Sequence, residues 1–184
     1  MRTPSRFMPQ FPQKEANPFL EWGFAVGFLG IFAALILAWP LVWCPLVAAM
    51  AVAIILEKRR LGRLATAREG ESICTFARSI GAKKLDTHVV RAVYEELGKI
   101  LGASDSKFPL HPTDQLYERS GLSLDPDDLD ELLVAIAFRS QRSLENTENN
   151  PYYDKVKTVA DLVQFVMAQP VMPNPQYVTI KARS

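Results

Sequence analysis

Phe19 to Leu56 reads FLEWGFAVGFLGIFAALILAWPLVWCPLVAAMAVAIIL, 38 residues in which Glu21 is the only ionisable side chain besides the thiol of Cys44. One straight helix of that length would reach about 57 Å, nearly twice the roughly 30 Å of bilayer hydrocarbon, so a single span does not accommodate the run. Pro40 supplies a break. It lacks a backbone donor and disfavours helical geometry at Trp39, which predicts two helices, Phe19 to Trp39 and Leu41 to Leu56. The first is long enough to span. The second, about 24 Å long with Pro45 near its start, spans only with local thinning or snorkelling flanks. The expectation is a tight transmembrane hairpin over residues 19–56.

The flanks of this run carry the orientation. Trp39 and Trp43 bracket the predicted turn and Trp22 lies near the other end, the headgroup levels at which amphipathic indoles settle. Beyond Leu56, Lys58, Arg59, Arg60, Arg63 and Arg68 stand against Glu57 alone; before Phe19, Arg2, Arg6 and Lys14 stand against Glu15. Positive charge on both sides puts both termini in the cytoplasm, and the expected location is the inner membrane of a bacterium. Lys58 to Arg68 also suits anionic headgroups, although orientation alone accounts for it. Gly23 and Gly27 form one small-xxx-small pair, which would let the helices approach closely; glycine is also simply frequent in such spans. Glu21, beside Trp22, reads as a snorkelled interfacial carboxylate rather than a functional acid. A cleaved leader is not expected, because the apolar run continues into a second segment. Bulky Trp43 before Cys44 fits a lipoprotein acceptor poorly, so Cys44 reads as a buried membrane thiol.

The remaining composition excludes more than it identifies. The chain has 184 residues with 21 Lys+Arg against 20 Asp+Glu, so bulk charge does not point to nucleic acid. Cys44, Cys74, His88 and His111 provide neither a disulfide framework nor a metal-ligand cluster, and no metal is expected. No nucleophile–base pair or phosphate-cradling glycine loop stands at instructive spacing, so the reading is not an enzyme.

From Ala65 onward the apolar rhythm is helical, and the soluble part is expected to be all-α. Glu71 to Ile80 predicts a short helix ended by Gly81, with Ile73, Phe76, Ala77 and Ile80 on one face. Asp86 or Thr87 caps a longer one through Val89, Val93, Leu97 and Leu101, with Arg91, Glu95 and Lys99 spaced for i,i+4 pairing on its other face. A loop from Ser104 to Pro112 follows. Asp125-Pro126-Asp127-Asp128 is a strong helix start, with an aspartate cap, proline at the first position and carboxylates facing the positive helix end. That helix should bury Leu129, Leu132, Leu133 and Ile136. After the loop from Asn146 to Pro151, Thr158 or its neighbour caps a last helix with Val159, Leu162, Val163 and Val166 as its stripe. Residues 169–184, with Pro170, Pro173 and Pro175, read as an extended or mobile tail.

The long helix, long loop, acid-capped second helix and closing Thr158-Val159-Ala160-Asp161-Leu162-Val163 together resemble an acyl carrier protein over roughly Asp86 to Ala168. Carriers open their second helix with Asp-Ser-Leu and an acid, and that serine holds a phosphopantetheine arm. The best register lays Asp127-Asp128-Leu129-Asp130 over this motif, with Asp128 where the resemblance implies the serine; a carboxylate lacks the hydroxyl for the phosphodiester. A second register lays Ser123-Leu124-Asp125 on the motif and restores a hydroxyl, with Leu122 in place of the usual aspartate. In the first register no cofactor is carried; in the second, phosphopantetheine sits on Ser123. Asp128 also reads simply as a dipole-facing helix-cap acid.

From Asp114 to Asp161 eleven acids stand against five bases, net −6. Carriers dock on basic partner enzymes through an acidic second helix, so the resemblance implies a basic-surfaced protein partner for Asp125, Asp127, Asp128, Asp130 and Glu131; a solvated helix face is the alternative. The expected organisation is a cytoplasmic arm (1–18), the hairpin (19–56), a basic juxtamembrane linker (57–70), a small acyl-carrier-like helical bundle (71–168) and the tail (169–184). Three functions remain: a membrane-anchored, non-catalytic interaction module, a carrier modified at Ser123, or an accessory subunit of a membrane complex.

Overall fold

The computed structural model describes residues 4–12, 18–81, 85–102 and 108–172, without the side chains of 18–21. Arg2, Lys14, Glu15, the Glu21 side chain, residues 104–107 of the Ser104–Pro112 loop and the tail from Pro173 lie outside the described residues. Those described form six α-helices and no strand. The chain divides into two compact units: one combines Met1–Phe11 with Ala65–Ser184, and the other is the inserted Pro12–Leu64.

The inserted unit contains helix α1, Pro18–Ala38, and most of helix α2, Pro40–Ala67. The break falls at Trp39, as the proline predicts. The Phe32 and Trp43 ring centroids lie 5.6 Å apart. Across eleven residues of unbroken helix the rise alone would be about 16 Å, so the chain turns sharply at Trp39-Pro40. Phe32 and Ile36 on α1, with Trp43 and Val47 on α2, are the only residues from Trp22 to Leu56 that are not exposed. The helices therefore touch only beside the turn, and a Cβ added at Gly23, Gly27 or Gly30 meets nothing within 4 Å. The small-residue pair is thus not a packing contact. Two further differences concern α2. Pro45 lies within the helix, and the helix does not stop at Leu56 but continues through the basic stretch to Ala67, so most of the expected linker is helical. Leu, Lys, Arg and Ala are good helix formers, and nothing after Leu56 interrupts them. By length and composition α2 is the one described helix suited to crossing a membrane, with Trp22–Ala38 a shorter apolar helix.

The other unit is built around helix α4, Thr87–Leu101, which packs against α5 (Pro126–Ser140), α6 (Val159–Ala168), α3 (Ile73–Ser79) and a 3₁₀ turn at Ser5–Phe7. Asp86 caps α4 by accepting from the His88 backbone N–H at 2.9 Å, and Gly102 follows its last turn. The core joins Phe76, Val89, Val93, Leu97, Leu132, Ile136, Val159, Leu162 and Val163, all buried. Of the residues expected inside α5, Leu133 is only half-buried. Full burial of one Leu or Val side chain contributes about 1.5–3 kcal/mol, so these few positions dominate the unit's cohesion.

A zipper of backbone bonds joins the loop before α5 to the start of α6. Ala160 N–H donates to Pro112 O at 2.9 Å, Val159 N–H to Asp114 O at 3.0 Å, and Leu116 N–H to Lys157 O at 2.9 Å. Thr158 and Asp161 form a reciprocal capping box at that junction, the Asp161 N–H donating to Thr158 Oγ1 at 3.1 Å and the Thr158 N–H to Asp161 Oδ2 at 2.9 Å. Burial pushes the Asp161 carboxyl up. Hydrogen bonds from Thr158 and Lys157, with the Lys157 charge, outweigh that and hold it below the ordinary carboxylate value. A carboxyl depressed in the folded state stabilises above its unfolded pKa and loses that contribution as pH falls through the folded value. Asp161→Asn is therefore expected to cost about 1 kcal/mol at neutral pH, with the difference from the parent shrinking below about pH 4 in denaturant titrations.

Candidate functional site: the acidic tip of the fifth helix

The tip of α5 is fixed from below by a tightly closed loop. Leu122 N–H donates to Gln115 O at 2.7 Å and Leu124 N–H to Leu116 O at 2.8 Å, which turns both leucines into the core. Ser123 between them is exposed, with left-handed backbone at φ 55°. It stands two residues before the Asp125 cap, outside the helix. Gly121 completes the closure: a Cβ there would lie 2.1 Å from Gln115 O.

Asp125 accepts from the Asp127 N–H at 3.3 Å, and Pro126 takes the first helical position, where its missing donor costs nothing. Asp127, Asp128, Asp130 and Glu131 then occupy the first two turns. Leu129 and Leu132 face the core, so helical periodicity leaves these four carboxylates and Asp125 on the solvent side, and all five are exposed. The three nearest the helix start face the positive end of its dipole, which offsets part of their mutual repulsion. Tyr117, 43% exposed, is the nearby aromatic: burial, and after it the Asp130 charge, raises its hydroxyl pKa. The arrangement offers localised negative charge beside an aromatic ring. It has no hydroxyl on the helix at position 128.

The expected membrane-interface residues lie in the other unit. Trp22 and Trp39 are exposed, and Trp43 is half-buried against Phe32. Lys58, Arg59 and Arg63 are exposed, whereas Arg60 is bound by Glu57, with Nε 3.1 Å from each carboxylate oxygen. Cys44 and Cys74 are free and exposed, and no group of three or more metal-ligating side chains is found among the described residues.

Three clusters escaped the sequence reading. Arg139 on α5, only 2% exposed, is clasped by Glu95 and Glu96 of α4. Arg91 lies 3.6 Å from Glu95, as the spacing predicts, but Lys99 pairs with Glu96 at 2.7 Å instead of Glu95. Charge thus alternates along a ribbon that fixes α5 against α4. Lys99 also donates to Gln10 at 3.0 Å, Met8 is 7% exposed, and Phe11 meets Phe138 edge-on at 5.6 Å. Residues 8–11 of the N-terminal arm are therefore docked on the α4–α5 surface. Finally, Arg68 donates twice to Asp114, each bond 2.7 Å, and that hydrogen bonding raises the Arg68 pKa. The one local signal available was Glu96, three residues from Val93 on the buried arc of α4.

No protein-family model matches the chain, and neither the curated proteins nor the solved structures contain a significant match.

Proposed function

We propose that the chain is a membrane-anchored, non-catalytic, acyl-carrier-like interaction module that presents the acidic tip of α5 to a basic-surfaced protein partner at the cytoplasmic face. The observation that carries this reading is the tip itself: five exposed carboxylates on the first turns of one capped helix, with Asp128 where the carrier resemblance implies a serine. Such a face steers encounter with a positive surface and disfavours negative ones.

Anchoring is supported independently. From Trp22 to Leu56 nearly every side chain is exposed and apolar, far more than the few hundred Å² a soluble monomer leaves uncovered. The arm before this insertion packs on the same unit that follows it. A chain that leaves and re-enters one compact unit begins and ends its insertion on one side of a bilayer, which favours a hairpin over a single crossing. Anchoring also raises the tip's effective concentration near a membrane partner.

The second reading, a carrier loaded on Ser123, is favoured by that hydroxyl's exposure. One purification separates the two. The full chain, co-expressed with a phosphopantetheinyl transferase and purified in mild detergent, is expected to keep its unmodified mass and to retain a partner released by salt. Asp127→Asn/Asp128→Asn/Asp130→Asn/Glu131→Gln should no longer retain it. A mass gain of one arm, lost in Ser123→Ala, establishes the carrier instead; partner retention unchanged in the neutralised variant removes the tip from the interface.

A further inference from the structure

The continuation of α2 beyond Leu56 divides cleanly into two faces. Glu57, Arg60, Leu61 and Leu64 are half-buried on one side; Lys58, Arg59, Gly62 and Arg63 are exposed on the other. Within the half-buried face Glu57 and Arg60 bind each other, so the acid nearest the bases is directed away from them. Lys58, Arg59 and Arg63 pair with no described residue. They fall within about 140° around the axis and about 8 Å along it, starting two residues past the apolar stretch. Because α2 runs unbroken to Ala67, the three cations are held on a rigid element rather than on a loop.

We infer that Lys58, Arg59 and Arg63 form a binding face for the phosphate groups of anionic lipids. The inference rests on the membrane reading and adds a lipid preference to it. With the apolar half of α2 in hydrocarbon, these bases lie within the headgroup layer, about 5–8 Å deep on each side. Arginine there forks two donors onto phosphate oxygens while lysine acts as a compact charge. Orientation by positive charge requires only the sum of the bases; a lipid preference requires them on one acid-free face, and that segregation is what the helix presents.

The test uses the full chain in vesicles of brominated phosphatidylcholine or brominated phosphatidylglycerol, reading tryptophan quenching. All three tryptophans lie in the apolar unit, and Trp39→Phe/Trp43→Phe leaves Trp22 alone as the reporter for the end bearing the bases. The unsubstituted chain provides the total signal should that variant misfold. Phosphatidylglycerol is expected to associate at least fivefold more strongly than phosphatidylcholine. The preference should disappear in Lys58→Gln/Arg59→Gln/Arg63→Gln and persist in Arg6→Gln/Arg119→Gln/Lys155→Gln, which removes the same charge elsewhere. Equal quenching by both lipids, or equal loss in the two triple variants, overturns the lipid face while leaving the anchor intact. Quenching by neither lipid overturns the anchor, and the face with it.

Discussion

Arg139→Ala is expected to lower the stability of the helical unit by about 3–5 kcal/mol, the range for removing one partner from a buried ion pair. The reason is what remains. Glu96 is 6% exposed, and without Arg139 its charge keeps only Lys99, a surface partner, so the carboxylate stays buried beside an empty space. Glu95 is better placed, since Arg91 still faces it. Glu96→Leu/Arg139→Met removes both charges together and should recover most of the loss, because desolvation of the ions is then no longer incurred. Urea unfolding of the full chain in detergent, followed by helical circular dichroism, reads both variants. A loss below about 1 kcal/mol for Arg139→Ala would mean that Glu96 is solvated and the ribbon does not hold α5.

Gly121→Ala carries the second large effect, about 3 kcal/mol, at the upper end of what overpacking costs. The added Cβ would meet backbone, with Gln115 O at 2.1 Å and Gln115 C at 2.8 Å, so no rotamer change relieves it. Gln115 must move, and its carbonyl holds the Leu122 N–H at 2.7 Å while the residue itself bridges Thr158. The displacement therefore reaches Leu124 and the start of α5. Hydrogen exchange should rise from Gln115 through Leu129 while the distant start of α4 stays protected. Unchanged exchange across that loop would show that it closes without the contact, and the tip would lose its rigid base.

The same residues explain how far the sequence could be read. The break at Pro40 and the caps at Asp86, Asp125 and Thr158 were legible because each rests on chemistry within four residues of its partner. The exposure of Asp125, Asp127, Asp128, Asp130 and Glu131 followed from Leu129 and Leu132 facing inward. By contrast, Arg139 finds Glu95 and Glu96 across more than forty positions, Arg68 finds Asp114 across 46, and Phe11 finds Phe138 from the far side of the apolar insertion. Apart from Glu96, a charge on the buried arc of α4, nothing local marks such pairings. Arg139 lies three residues after Ile136 on the core arc, but a charged residue there reads equally as the edge of a stripe. The charges after Leu56 read as a helix boundary, whereas Lys and Arg sustain a helix nearly as well as Leu, and α2 continues to Ala67.

Labelling of two thiols in sealed vesicles tests the central claim most directly. Cys44→Ser leaves Cys74 as the single native thiol, exposed in the unit after the insertion, and Cys44→Ser/Cys74→Ser/Pro4→Cys reports on the arm before it. With a membrane-impermeant maleimide, both positions are expected to react only from the cytoplasmic face, in protein that resists alkaline extraction. Reaction of the two from opposite faces, or release of the chain by alkaline carbonate, would contradict an anchored hairpin with its acidic helix on the cytoplasmic side.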